Sequence, residues 1–299
     1  MVGRPVILVP PDIGPRDLEA AWPLTGVSMG EALPSFPTRG VFRVHSDQGE
    51  FVAKANPAPH PDFADAYQMY VLEYLAERGF AHAPVLLPTR RGQRIARIHG
   101  NVVSVIEFLP KAVHEDVPTS DTWSRLGEAA ARLNAFLDYP LPFAVPLSAT
   151  LVQLASRVKG LPFEARFLDL LARAAELERL PPDALAHGEI NEANARRRED
   201  GTVVLIDWDQ AGRAPAALEY GYPLITVFVS EDEHTFDDRS ARAFLGGYVE
   251  AGGVIDARQM FNAALFHALR YMWWGATERR WARILDAVDR EAELCAVLP

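Results

Sequence analysis

Residues 187–212, HGEINEANARRREDGTVVLIDWDQAG, place one strand hairpin inside a half of the chain whose remaining periodicity is helical. TVVLIDW is a short apolar, β-branched run that reads as a buried strand, and Ala195–Gly201 before it reads as a polar turn. Around this hairpin stand Glu189, Asn194 and Asp207, a carboxylate, an amide and a second carboxylate. Side-chain oxygens of this kind hold hard cations such as magnesium. Any fold for the chain has to gather these three donors at one hairpin among helices.

The rest of the sequence divides into two parts. Val41–Ser46 and Glu50–Ala55 alternate around the turn signal DQG and predict a hairpin. Apolar residues at Phe63, Ala66, Tyr67, Tyr70, Val71, Tyr74 and Leu75 keep helical spacing up to a C-cap at Gly79. APVLLPTRRGQRIARIHGNVVSVIEFLP then offers three short strands separated by RRG and HGN. Beyond Pro110 the period becomes helical over 122–137, 163–180, 216–229, 236–251, 259–274 and 278–297. The expectation is an α+β chain: residues 1–109 form a small β-sheet lobe with one helix, and residues 110–299 a larger, mostly helical lobe. Clefts between lobes are where small ligands usually bind.

Composition narrows the class. A net charge of −10 argues against nucleic acid as a partner, because nucleic-acid binders carry a basic face. The run Arg196–Arg198 is followed at once by Glu199 and Asp200 and reads as a solvated turn. No stretch approaches the length of a membrane span, and the start of the chain lacks the features of a signal peptide. A single cysteine, Cys295, allows no internal disulfide and fits a reducing cytoplasm.

Lysine is rare, and Lys54 in EFVAKANP sits at the end of a strand beside Phe51 and Ala53. A strand lysine is either a solvated charge or a holder of nucleotide phosphates, steadied by a helix carboxylate. Glu73 in YVLEYLAERGF is the candidate carboxylate, with the ordinary surface glutamate as the other reading.

Taken in order, the strand lysine, the helix glutamate, EFLP, HGExxxxN and IDWDxAG resemble the aminoglycoside phosphotransferase and homoserine kinase family of small-molecule kinases. VLEYLAERGF, FLGGYVEAGG and HALRYMWW are most similar to its homoserine-kinase branch. The resemblance implies a two-lobed protein-kinase-like fold and an ATP- and Mg2+-dependent transfer of the γ-phosphate to a hydroxyl of a small molecule. It implies that Lys54 neutralises the α- and β-phosphates, that Glu107, Phe108 and Leu109 form the hinge that receives adenine, and that Asn194 and Asp207 hold magnesium. Glu189 takes the place of the family's catalytic aspartate, with an arm one methylene longer, and Asn191 and Glu192 replace the usual HP after it. The nucleotide loop LPSFPTRGVFRV offers one glycine, Gly40, and two prolines without N–H groups. His187 is expected to hold its loop by hydrogen bonds, and Asp209 to cap the QAG turn or assist the metal.

For the acceptor, two features carry double readings. SEDEHTFDD from Ser230 is either a helix start, with Ser230 and Glu233 as a capping box, or an acidic rim for a cationic acceptor. Tyr271, Met272, Trp273, Trp274 and Trp281 are either core or the lining of an acceptor pocket. The alternative to a working kinase is a catalytically impaired kinase-fold protein that binds nucleotide, motivated by Glu189 and the proline-bearing loop. A metal-dependent hydrolase finds no histidine spacing to support it.

Overall fold

The computed structural model describes residues 12–33, 40–57, 65–112, 119–272 and 278–299. It divides into two compact units, Met1–Pro110 and Lys111–Pro299. No helix among the described residues is long and apolar enough to cross a membrane.

In the first unit, α1 (Pro15–Ala21) precedes three strands, β1 (Ser28–Ala32), β2 (Gly40–Ser46) and β3 (Gly49–Pro57). After α2 (Asp65–Glu77) come β4 (Ala96–Ile98) and β5 (Asn101–Glu107). The five strands form one antiparallel sheet in the order β1-β2-β3-β5-β4. The DQG signal closes the β2–β3 hairpin, where Ser46 pairs with Gly49 and the glycine adopts φ +118°. Ala53 and Ala55 of β3 and Val103 and Val105 of β5 face one core, shared with Leu18, Trp22 and Leu24 from α1 and the segment after it. Gly79 at φ +68° ends α2, and the N–H of Phe80 reaches back to Leu75 O at 3.0 Å. Of the three strand expectations after Gly79, the first shrinks to a single bridge, Leu86 to Ile106. Pro84 and Pro88 bracket it and cannot donate to a ladder. The seven-residue α1 is too short to leave a periodic signature, so only its Pro15 start and the Asp17 Oδ2 bond from Gly14 N mark it.

In the second unit β6 (Lys111–Ala112) is followed by α3 (Ser120–Asn134), α4 (Leu147–Arg157) and α5 (Glu164–Ala174). The helical pattern over 163–180 ends early, because Ala175–Arg179 tightens into a 3-10 turn. Four short strands come next: β7 (Ala184–Ala186), β8 (Ala195–Arg197), β9 (Val203–Leu205) and β10 (Gly212–Ala214). The chain closes with α6 (Ala217–Thr226), α7 (Asp238–Glu250), α8 (Ala257–Tyr271), α9 (Glu278–Asp289) and α10 (Glu291–Cys295). The break between the last two falls at Arg290, whose guanidinium bridges Asp286 and Glu293. Helices α3 and α7 approach at two glycines. A Cβ on Gly127 would lie 1.9 Å from Phe244 O, and one on Gly247 would lie 2.0 Å from Ser124 O. Buried Asn134 ties this pair to β7, donating to Leu185 O at 2.9 Å and accepting from the Tyr248 hydroxyl at 2.8 Å.

The capping box expected at Ser230 does not form. Ser230 Oγ accepts from Thr235 N at 3.0 Å within a turn closed by the Val229–Phe236 bridge. The helix starts later, where Asp237 accepts from Ser240 N at 3.0 Å. Two adjacent aspartates gave the later start an equal claim to the cap.

Candidate active site

Strand pairing assembles the site. β7 pairs with β10 and β8 with β9, so the loops 187–194 and 206–211 run side by side between the two small sheets. Buried His187 staples them. Its Nδ1 accepts from Glu189 N at 3.3 Å, which leaves the proton on Nε2 to donate to Ile206 O at 2.9 Å. Its ring meets Trp208 edge to face at 4.7 Å between centroids. The expectation of a loop-holding histidine is met.

Gly188 follows at φ +88°, with Phe143 so close that a Cβ would lie 2.5 Å from its ring. Its N–H donates to Glu219 Oε2 of α6 at 2.9 Å. Glu219 is fully buried, and its Oε1 has no hydrogen-bond partner. Burial pushes its pKa up to about 7, against the backbone N–H groups of Gly188 and His187, which favour the anion.

Glu189 is tied to α8. Its Oε1 accepts from Arg270 Nη2 at 2.5 Å, and Arg270 Nη1 donates to Gln210 Oε1 at 2.5 Å. The two charged side chains are 18% and 8% exposed, which makes this a largely desolvated pair. Burial raises the Glu189 pKa, Arg270 and Gln210 oppose the rise, and the Asp207 charge adds to it. Arg270 and Gln210 were not candidates from sequence. The available signal was an arginine in a helix whose neighbours Phe266, Ala268, Leu269 and Met272 are all buried.

Asn194 joins the same cluster. Its Nδ2 donates to Glu189 O at 3.1 Å, its N–H to Asn191 Oδ1 at 2.9 Å, and its carbonyl accepts from Ile206 N at 2.8 Å. That last bond sets Asp207, the next residue, beside Asn194. Asp207 holds a left-handed backbone, φ +63° and ψ +58°, an uncommon state for a residue other than glycine. Among the described residues no group of three or more His, Cys, Asp or Glu gathers to hold a metal. One amide oxygen and one carboxylate nevertheless suit magnesium, which takes its remaining ligands from water and substrate phosphates. Asp209 lies within the 3-10 turn Trp208–Gln210.

On another side, Asn191 Nδ2 bonds both Glu189 O and the Tyr222 hydroxyl at 3.1 Å, and Tyr222 shares a 2.8 Å hydrogen bond with the Tyr271 hydroxyl. Asn191, Tyr222 and Tyr271 line a cavity of about 330 Å³ that also takes in Glu192, Glu231, Arg280 and Arg283. The aromatic cluster divides accordingly. Tyr271 lines the cavity, Met272 and Trp281 are core, with Trp281 stacked on Phe163 at 4.8 Å, and Trp273 and Trp274 lie outside the described residues. The acidic run is paired with arginines of α9, Arg279 with Asp232 and Arg280 with Glu231 at 3.4 Å.

In the first unit, Lys54 lies in the middle of β3 rather than at a strand end, since the strand runs on to Pro57. Its cross-strand neighbours are Val41 and Ser104, and it alternates with the core-facing Ala53 and Ala55. Glu73 on α2 has Arg94 Nε 3.7 Å from its carboxylate. In the 107–109 segment the N–H groups of Glu107 and Phe108 bond Val85 O and Glu50 O, and the Glu107 side chain accepts from Val85 N. The Phe108 ring lies under the Arg43 guanidinium at 4.2 Å. The nucleotide loop falls largely on 34–39, outside the described residues.

Comparison with known proteins follows the same lines. The model of the phosphotransferase enzyme family matches residues 36–254. Homoserine kinases of Rhodopseudomonas palustris are similar in sequence, that of strain BisB18 at 29% identity over 220 residues and that of strain BisA53 at 27%. Each alignment spans 69% of this chain and 65% of the relative's own length. Among solved structures, spectinomycin phosphotransferase APH(9)-Ia with ADP and spectinomycin superposes with a TM-score of 0.65 at 12% identity, covering 95% of both chains. Amicoumacin kinase hAmiN with AMP-PNP and Ca2+ gives 0.66 at 15%, covering 95% of this chain and 93% of its own. A microcompartment-associated aminopropanol kinase gives 0.61 at 16%, covering 94% of each. At these identities the likeness is one of fold, protein-kinase-like and α+β.

Proposed function

The chain belongs to the phosphotransferase enzyme family, and we propose that it is an ATP- and magnesium-dependent kinase that phosphorylates a hydroxyl of a small molecule in the cytoplasm. The acceptor classes are an aminoglycoside-like antibiotic, an amino alcohol, or an amino acid such as homoserine. One observation carries the reading. Glu189, Asn194 and Asp207, from either side of one hairpin, share one hydrogen-bonded pair of loops.

In the transfer, the acceptor hydroxyl oxygen bonds to the γ-phosphorus while the bond from that phosphorus to the β–γ bridging oxygen breaks. ADP leaves, and the hydroxyl proton passes to Glu189 and on to solvent. Arg270 favours the ionised carboxylate against burial and fixes the direction of its arm. Asn194 and Asp207 would hold magnesium, which supplies positive charge for the phosphate oxygens. Asn191 orients the loop through Glu189 O. On the first unit, residues 1–109, Lys54 steadied by Glu73 would neutralise the α- and β-phosphates. Glu107, Phe108 and Leu109 would receive adenine, through their carbonyls and the Leu109 N–H, since the first two N–H groups are engaged.

The test is acceptor-dependent ADP release from Mg·ATP across aminoglycosides, amino alcohols and hydroxylated amino acids, with Asp207→Ala as blank. Turnover that persists unchanged in the blank removes the assignment. The ion pair between Glu189 and Arg270 also supports a second reading, an impaired kinase-fold protein that binds nucleotide. That reading predicts saturable ATP binding with no phosphorylated product from any acceptor.

A further inference from the structure

The cavity beside Asn191 has an unbalanced wall. Of its four charged side chains, Arg280 and Glu231 answer each other at 3.4 Å, and Arg280 also donates to Tyr271 O at 3.1 Å. Arg283 and Glu192 remain. Arg283 on α9 is 7% exposed, its Nη1 makes one long bond to Val229 O at 3.4 Å, and its Nε is buried without any partner. Glu192 carries a buried Oε2 that likewise has no partner.

The Glu231 charge acts on Arg283 without an ion-pair contact; a guanidinium desolvated to this degree with no carboxylate in hydrogen-bond contact is costly, and so is a carboxylate oxygen buried without a donor. Both residues line the same cavity, and one ligand bearing both charges would meet the guanidinium and the carboxylate at their cavity-facing atoms. Arginine is suited to the first contact, since its fork matches a carboxylate in two parallel bonds. Size agrees: at about 330 Å³ the cavity is at the small end of the range of about 300–1,000 Å³ for ligand sites. Glu192 argues against a second polyanion as occupant. The cavity neighbours Glu189: Asn191 in its wall bonds both the Glu189 backbone carbonyl and the Tyr222 hydroxyl, and the Glu189 charge acts on the wall hydroxyls of Tyr222 and Tyr271.

We propose that this cavity seats the acceptor and selects a hydroxylated amino acid as its zwitterion, with the carboxylate on Arg283, the ammonium on Glu192, and the hydroxyl carried toward Glu189. The proposal rests on the kinase reading and narrows its acceptor from three classes to one. Arg283 and Glu192 become specificity determinants, while Arg280 and Glu231 brace each other.

Acceptor pairs that differ only in the carboxylate test it, homoserine against 3-aminopropan-1-ol and serine against ethanolamine, with spectinomycin as an unrelated acceptor that has no carboxylate. ADP release from Mg·ATP by the whole protein is measured for each, with Asp207→Ala as blank. At least one amino acid should exceed its decarboxylated partner by on the order of 10²-fold in kcat/KM, the scale of leaving a charged group unpaired. Arg283→Gln should shrink that preference to within about threefold, mainly by raising KM for the amino acid, and Arg283→Lys should recover part of it by keeping the charge. A preference unmoved in both variants, with melting temperature retained, overturns the role of Arg283. Turnover of aminopropanol, ethanolamine or spectinomycin equal to or above that of the amino acids, and lost in the blank, overturns the zwitterion seat and leaves the kinase reading standing. Silence from every acceptor overturns both.

Discussion

On the hairpin side of Glu189 the polar atoms are tied to one another, whereas on the side of α6 and α9 charged atoms are left over. Asn194 alone is bonded at its N–H, its carbonyl and its Nδ2, and His187 spends both ring nitrogens on the two loops it joins. Across the cavity, Arg283 Nε and Glu192 Oε2 are buried with nothing to answer them. The difference separates what the protein prepares in advance from what a ligand must complete. Metal and phosphate chemistry depends on positioning, which backbone register and short loops supply before any ligand arrives. Choice of acceptor depends on unmet charge, which a ligand of the right sign supplies.

The sharpest way to break this contrast is to remove a prepared donor. Asp207→Ala should lower acceptor-dependent turnover by on the order of 10³-fold or more, the upper scale for loss of one preorganised electrostatic group. Because Asp207 sits at φ +63°, alanine also strains the backbone, and Asp207→Asn, which tolerates that region, is the cleaner companion. Turnover retained by both variants, measured as ADP release, would show that the tied side is scaffold alone.

Next comes the pair that connects the tied loops to the helical wall. Arg270→Met leaves Glu189 buried and Gln210 without its donor, and should lower unfolding free energy in urea by about 3 kcal/mol, the cost of breaking a buried pair. An unchanged midpoint would mean that Glu189 reaches solvent once released. Glu189→Asp should lower kcat by about 10²-fold, since withdrawing the arm by one methylene breaks its 2.5 Å contact with Arg270 and misplaces the carboxylate. A gain in kcat would favour the impaired kinase, with glutamate as the defect. The geometry points to a site built around the longer arm.

Much of the tied side was legible in the sequence, because the hairpin, its oxygen donors and its loop histidine are consecutive in the chain and need only local rules. The β2–β3 hairpin, α2 with its Gly79 end, and most helices of the second unit were legible for the same reason. Arg270 and Gln210 were not, since the ion pair of Arg270 with Glu189 spans 81 residues and its hydrogen bond to Gln210 spans 60. Nor were α1, β7 and β10, whose few residues show no period. Ser230 misled because local cap chemistry was satisfied equally by Asp237, and tertiary pairing of Val229 with Phe236 decided between them. The wall proposed for the acceptor was the least legible: Arg283 and Glu192 stand out through the hydrogen-bond partners they lack, a property of packing rather than of sequence spacing.

The smallest expected effect concerns Glu219 of α6, which accepts from Gly188 of the tied loop with one oxygen and leaves the other unanswered, and it tests whether the prepared loops are held at a cost. Its folded pKa of about 7 lies above the ordinary value of 4.5, so between those values the folded chain holds a proton that the unfolded chain has released. Stability then falls as pH rises through that window, and the loss levels off above it. From about pH 5 to about pH 7 the fall attributable to this group is about 2 kcal/mol. Glu219→Gln keeps an oxygen to accept from Gly188 N and has no proton to lose, so its stability should decline less over the same range. Urea unfolding of both proteins at the two pH values measures the difference. Equal slopes would mean that Glu219 is ionised throughout and that the loops are held without strain in charge. A flatter slope in the variant would mean that the backbone of the tied side is anchored on a carboxyl the fold must keep at a penalty.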